Sequence, residues 1–114
     1  MALTISQLFT PVQLPSAAAV LFTMPTAPAS TVLKNGRARL TNTSGGAVAV
    51  TLYSDVAATA SSAANCCLSA VSVGANGYLD IDLPTMKAGD TLRGFAGTAN
   101  VITMHELGGV LYSQ

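Results

Sequence analysis

Apolar residues alternate with polar or small residues along much of this chain. Residues 47–53 place valine and leucine side chains on one face, and residues 78–83 oppose three aliphatic side chains to Asp80 and Asp82. A period of two is typical of β-strands that are covered on one side only. The side chains expected to face inward are Val48, Val50, Leu52, Leu79, Ile81 and Leu83.

Glycine-rich turns separate these alternating segments. Asn35-Gly36 is the signal of a two-residue hairpin, because both residues tolerate the positive φ angles of a type I′ turn. Residues 55–64 are rich in alanine and serine and predict a loop or one helical turn. The predicted strands lie near residues 18–24, 30–34, 37–43, 47–53, 66–73, 78–83, 90–96, 100–106 and 109–112.

Short, evenly spaced strands predict an all-β fold, either an antiparallel sandwich or a barrel. We expect a jelly-roll-like antiparallel β-sandwich formed by residues 16–114 as a single domain. Residues 1–15 carry apolar side chains without a charge or a turn signal, so we expect an extended N-terminal arm. This arm packs either on its own domain or on a neighbouring molecule.

The charge content constrains the surface. Only 9% of the 114 residues are charged, whereas about 25% is usual, and the formal net charge is zero. Such a chain lacks the basic field that nucleic-acid binding needs. It also lacks the apolar run of about 20 residues that a transmembrane helix needs, and we expect no membrane partner. A charge-poor surface favours coverage by partners or by further copies of the chain.

No catalytic or metal-binding motif stands out. His105 is the only histidine, and the adjacent Cys66 and Cys67 are expected to be small buried or half-buried residues rather than a disulfide or a zinc site. Asp80 and Asp82 could hold a divalent ion or act as an acid–base pair. We favour solvation or pairing with Arg37 and Arg39, across strands or across subunits. We therefore expect no enzyme activity, no cofactor and no metal.

Three segments carry a resemblance to a known class of protein. Leu40–Tyr53 combines a strand, an Asn-containing Gly-rich turn and an alternating strand, and Tyr78–Leu83 is followed by the turn and strand of Ala88–Arg93. This pattern resembles small virion proteins of tailed bacteriophages, and among them capsid decoration, or cement, proteins. The resemblance implies a non-enzymatic protein of the virion, assembled in the host cytoplasm, that clamps neighbouring major capsid protein subunits as a homo-oligomer.

We expect the contacts with partners to come from residues 1–12 and from the apolar C-terminal segment 107–112, with arginines and aspartates adding specificity. The residues expected at these contacts are Leu3, Ile5, Leu8, Phe9, Arg37, Arg39, Asp80, Asp82, Leu111 and Tyr112. A phage tail or neck subunit is the main alternative. A carbohydrate-binding sandwich is a further alternative, although few aromatic residues are present to form a sugar site.

Overall fold

The computed structural model describes residues 2–4, 10–25, 32–56 and 63–113, with the backbone alone for residues 2–4, 35 and 110–113. These ranges contain one short 3-10 turn, Ala63–Asn65, and no α-helix. The strands are β1 (Ala2–Thr4), β2 (Val12–Gln13), β3 (Ala19–Thr23), β4 (Val32–Asn42), β5 (Val48–Asp55), β6 (Cys66–Val73), β7 (Tyr78–Asp82), β8 (Met86–Lys87), β9 (Thr91–Ala96) and β10 (Ile102–Ser113).

The strands form two antiparallel sheets. The six-stranded sheet has the order β1-β10-β4-β7, with β2 also beside β10 and β8 also beside β4. The four-stranded sheet has the order β3-β9-β5-β6. The predicted all-β antiparallel sandwich is therefore confirmed.

The pairing of the strands is nested. An early strand pairs with a late one, so that β2 pairs with β10, β3 with β9, β4 with β7 and β5 with β6. The chain thus runs like one long hairpin whose two arms are folded over together. The pairings β4–β10 and β5–β9 then join the halves of this hairpin within each sheet.

The core lies between the two sheets and is built from alternate residues of their strands. Leu40 and Met104 from the six-stranded sheet and Val50, Leu52 and Leu92 from the four-stranded sheet are fully buried. Each large aliphatic side chain removed from water contributes about 1.5–3 kcal/mol to folding. The predicted inward faces are confirmed, since Val48 and Leu83 are buried and Leu79 and Ile81 pack against the core.

The hairpin predicted at Asn35-Gly36 is wrong. One strand, β4, continues through these residues, and β10 likewise joins the two strands predicted at 100–106 and 109–112. Between the pairs Lys34↔Val110 and Arg37↔Gly108, β4 has one residue more than β10, and the register shifts again at Leu107 on β10. The glycines permit this β-bulge rather than a chain reversal, because a Cβ atom at Gly109 would lie 3.1 Å from the Cα of Gly36.

The described parts of residues 1–15 belong to the six-stranded sheet. β1 pairs with the end of β10, with Leu3 opposite Tyr112, and β2 pairs with its beginning, with Val12 opposite Met104. Leu14 follows β2 and is completely buried. These segments therefore pack on their own domain, which is one of the two arrangements considered for the arm.

A buried asparagine joins one end of both sheets. The Asn42 amide donates hydrogen bonds to the carbonyls of Gly46 at 2.8 Å and Val73 at 3.0 Å. Its side-chain oxygen accepts hydrogen bonds from the backbone N–H and the hydroxyl of Ser44. All the hydrogen-bonding capacity of this side chain is therefore used to hold the turn after β4 and the end of β6.

Replacing Asn42 with alanine should lower the free energy of unfolding by about 2–4 kcal/mol, because the buried Val73 carbonyl loses its donor and the turn after β4 loses its hydrogen bonds to the side chain. Asn42→Asp should also destabilise, since it keeps the acceptor and removes both donors. Urea unfolding measures these changes. Thr43→Ala is the control, with a change under about 1 kcal/mol, because the Thr43 hydroxyl makes one exposed hydrogen bond. Equal changes for Asn42→Ala and Thr43→Ala would contradict this role of Asn42.

Candidate functional site

The outer face of the six-stranded sheet is polar. We call it the polar face and define it by Arg37, Arg39 and Thr41 of β4, Tyr78, Asp80 and Asp82 of β7, and Thr103 and His105 of β10. The register places Arg39 between His105 on one neighbouring strand and Asp80 on the other, and it places Arg37 opposite Asp82. The arginines and aspartates recognised in the sequence thus lie side by side on adjacent strands.

Arg39 forms the tighter of the two ion pairs. Its Nε lies 2.7 Å from Asp80 Oδ1 and its Nη2 lies 3.0 Å from Oδ2, so the guanidinium grips the carboxylate with two parallel hydrogen bonds. The guanidinium also lies 4.1 Å from the centre of the Tyr78 ring. Hydrogen bonding from Arg39 lowers the pKa of the Asp80 carboxyl, and the same bond raises the pKa of Arg39.

Arg37 and Asp82 form a looser pair. Arg37 Nε lies 3.4 Å from Asp82 Oδ1, and the Asp82 side chain is 87% exposed. Water screens such a pair, so it helps to fix the register of β4 and β7 more than it stabilises the fold. Asp80 and Asp82 therefore both pair with arginines of the neighbouring strand in the same chain. No cluster of three His, Cys, Asp or Glu side chains occurs in the described ranges.

His105 is exposed on the polar face. Its cross-strand neighbour is Arg39, which is already engaged by Asp80. This placement gives the imidazole a cationic neighbour rather than the carboxylate that orients the histidine of a catalytic triad.

The outer face of the four-stranded sheet has a different chemistry. We call it the apolar face and define it by Val20 of β3, Arg93 and Phe95 of β9, Thr51 and Tyr53 of β5, and Cys66 of β6. The register aligns four of these residues in one row across the sheet, in the order Val20, Arg93, Tyr53, Cys66. Phe95 lies opposite Thr51 in the next row.

A shallow depression of about 490 Å³ opens on the apolar face. Its lining residues are Thr51, Tyr53, Ala63, Cys66, Ser69 and Phe95. A bulge in β6 shapes its rim, because Ala70 has a φ of 47° and donates its N–H to the Thr51 hydroxyl at 3.1 Å. The depression therefore combines two aromatic rings with small polar side chains.

One ion pair lies on the apolar face. Arg93 Nε is 3.5 Å from Asp55 Oδ2, and the Asp55 side chain is completely buried. Asn65 donates a hydrogen bond to the other oxygen of this carboxylate at 3.2 Å. The Arg93 side chain remains 39% exposed, so its guanidinium is accessible at the surface. The buried Asp55 carboxylate balances its positive charge.

Both cysteines are free thiols. Cys66 is half-buried and lines the depression, as expected for a small residue, whereas Cys67 is exposed as a residue, contrary to expectation. The Cys67 sulfur nevertheless lies 3.6 Å from the Leu52 carbonyl, and burial of the thiol raises its pKa. A raised pKa reduces the thiolate fraction and with it the reactivity of this group.

The residues predicted at partner contacts fall into three groups. The four charged residues lie together on the polar face. Leu3, Leu111 and Tyr112 form the second group, where β1 pairs with the end of β10, with Leu3 opposite Tyr112 and Thr4 opposite Leu111. The remaining predictions, Ile5, Leu8 and Phe9, lie outside the described residues. The sequence analysis did not single out Val20, Tyr53 or Phe95, although Tyr53 and Phe95 alternate with buried neighbours.

Comparisons with models of known families, with curated proteins and with solved structures give no match for this chain. In the ranges that the structure describes, no helix has the length and apolar character required to cross a membrane.

The Arg39–Asp80 pair should make stability depend on pH. Because the folded-state pKa of Asp80 is lowered, its contribution is present above the unfolded-state pKa of about 3.9 and is lost as the pH falls through the folded value. Asp80→Asn should therefore be less stable than the unaltered protein at pH 7, and the difference should shrink towards pH 3. Thermal unfolding at both pH values measures it.

The more exposed carboxylate provides the control for this experiment. Asp82→Asn should show a smaller difference at pH 7, because its ion pair is longer and better solvated. An Asp80→Asn difference that stays constant from pH 7 to pH 3 would refute the assignment.

Proposed function

We propose that this chain is a non-enzymatic structural protein of a tailed bacteriophage virion. It decorates the capsid and stabilises it by clamping neighbouring major capsid protein subunits. Its place of action is the assembled particle, and its partners are the shell protein and further copies of itself.

The small number of charged residues, and their pairing within the chain, is the main observation behind this proposal. All ten charged residues lie in the described ranges, and six of them form the ion pairs Arg37–Asp82, Arg39–Asp80 and Arg93–Asp55. These charges tie together strands of the same molecule. With only ten charges in 114 residues, the isolated surface carries few groups that keep it well solvated, which suits a protein whose outside lies against other molecules.

The strand order supports the proposal. The nested pairing, with β10 between β2 and β4 and with β9 between β3 and β5, supports the jelly-roll-like sandwich expected from the sequence. Jelly rolls recur in capsid proteins, and they also occur in lectins and cupins. The fold therefore agrees with a virion role, and the charge distribution favours that role over the others.

Clamping would work through many weak contacts. Each copy binds more than one subunit, so a modest free energy per contact becomes strong retention on a lattice. The contacts proposed for residues 1–12 and 107–112 are compatible with one site, because β1 pairs with the end of β10. Arg37, Arg39, Asp80 and Asp82 would add polar specificity from the polar face.

The number of copies per particle tests the proposal. A decoration protein should be present in hundreds of copies, because it follows the lattice of the shell. Quantitative mass spectrometry of purified particles, with the major capsid protein as internal standard, measures the ratio. About a dozen copies would indicate a neck or tail subunit instead, and absence from the particles would overturn a virion role.

The apolar residues of the N-terminal segment should be needed for binding to the shell. The triple substitution Ile5→Ser, Leu8→Ser and Phe9→Ser should abolish co-sedimentation with undecorated heads, because it removes apolar contact area. Its matched control, Thr4→Ala, Ser6→Ala and Gln7→Ala, alters the polar residues of the same segment and should bind normally. Circular dichroism establishes that both variants are folded. Equal binding by the two folded variants would exclude these apolar residues from the contact.

A further inference from the structure

We propose that the apolar face is the surface through which two copies of this chain form a symmetric dimer, with Val20 of each copy seated over the depression of the other. This inference gives the homo-oligomer of the proposed function a specific interface. It rests on the arrangement of the apolar face and is tested separately from binding to a shell.

When a second copy is turned by 180° and laid on the apolar face, the row meets the same row in the opposite order. The row is Val20, Arg93, Tyr53 and Cys66, and its facing residues are then complementary. The two-fold axis lies between the two copies, parallel to the strands and midway between β9 and β5. It places β3 of one copy over β6 of the other, and β9 of one copy over β5 of the other. Val20 then faces Cys66 of the second copy, and Arg93 faces its Tyr53. Every contact occurs twice, as an isologous interface requires.

The chemistry of the facing groups fits. Val20 is 47% exposed, which is high for a branched aliphatic side chain, and the depression offers it the aromatic rings of Tyr53 and Phe95. A guanidinium over the face of a tyrosine ring is a favourable cation–π contact, worth more when water is excluded. Phe95 faces Thr51 of the second copy in the neighbouring row, because these two residues are also cross-strand partners.

Charge does not oppose this arrangement. The axis brings the two Arg93 side chains onto the same interface, and like charges would normally repel each other there. Each guanidinium has a carboxylate of its own at 3.5 Å, on the fully buried Asp55 side chain. The interface is therefore close to neutral.

The size of the molecule also fits. The chain measures 46 × 27 × 17 Å and the strands of the four-stranded sheet have five to eight residues, so a standard interface of about 800 Å² per partner would occupy most of the apolar face. The polar face is a poorer candidate, because it carries four charged side chains that are partly or largely exposed and would have to lose their water in an interface.

Sedimentation equilibrium of the purified full chain tests the proposal. The unaltered protein should be a dimer, and Val20→Asp should raise the dissociation constant by at least about 30-fold, because it places a carboxylate against the depression in both of the symmetric contacts. Thr103→Asp is the matched control, because threonine has nearly the shape of valine and Thr103 lies on the polar face, on the opposite side of the sandwich, so the same added charge should leave the dimer intact. A monomeric unaltered chain, or an equal effect of both variants, overturns the proposal.

Disulfide trapping keeps the test valid if Val20→Asp does not fold. In the double variant Val20→Cys, Cys67→Ser, mild oxidation should join the new thiol to Cys66 of the second copy and give a covalent dimer. In Val20→Cys, Cys66→Ser, which retains Cys67, the yield should fall several-fold. Equal yields would contradict the geometry.

The outcomes separate this inference from the proposed function. A monomer found at hundreds of copies per particle overturns the dimer and leaves decoration standing. A dimer that is absent from particles overturns the decoration role and leaves the dimer standing. A monomer that binds sugars on a glycan array, with binding lost in Tyr53→Ala, assigns the depression to a carbohydrate and overturns the dimer.

Discussion

Three cross-strand ion pairs take up most of the charge in this chain, and the character of its two outer faces follows from them. Arg37 and Arg39 meet aspartates on β7, and Arg93 meets Asp55 on β5. An ion pair between adjacent strands fixes register while it neutralises both partners. A sandwich built in this way presents one face of engaged charges and one face that is nearly neutral.

The nested pairing of the strands explains how three cross-strand ion pairs can form in so short a chain. Strands that are distant in sequence become neighbours, so Arg39 and Asp80 meet although 41 positions separate them. The longest pairing, β4 with β10, holds the centre of the six-stranded sheet. Each strand has one extra residue in that pairing, so the two bulges compensate and the strands stay paired beyond them.

Much of the fold could be predicted from the sequence because burial imposes a local period. Val50 and Leu52 of β5 and Leu79 of β7 were assigned to the inner face by alternation alone, and the structure places them there. Asn35-Gly36 was misassigned because a hairpin and a bulge use the same residues. The distinction depends on Gly108 and Gly109, which lie far along the chain and oppose this segment only after folding.

The candidate surfaces could be predicted in part. The spacing of Arg37 with Arg39 and of Asp80 with Asp82 indicated two charged strand faces that could pair. Pairing across strands of one chain, rather than across subunits, depends on the order of the strands in the sheet. The apolar face was missed for the same reason, since the row from Val20 to Cys66 draws one residue from each of four strands.

The central claim is that the outside of this molecule is covered by other molecules where it works. Hydrogen–deuterium exchange of the chain in intact particles, compared with the chain released from them, tests it most directly. The account predicts slower exchange in the particle at the terminal segments and at the edge strand β7, which carry residues proposed to contact the shell, with little change in the central strands β5 and β9. Identical exchange in both states would contradict it.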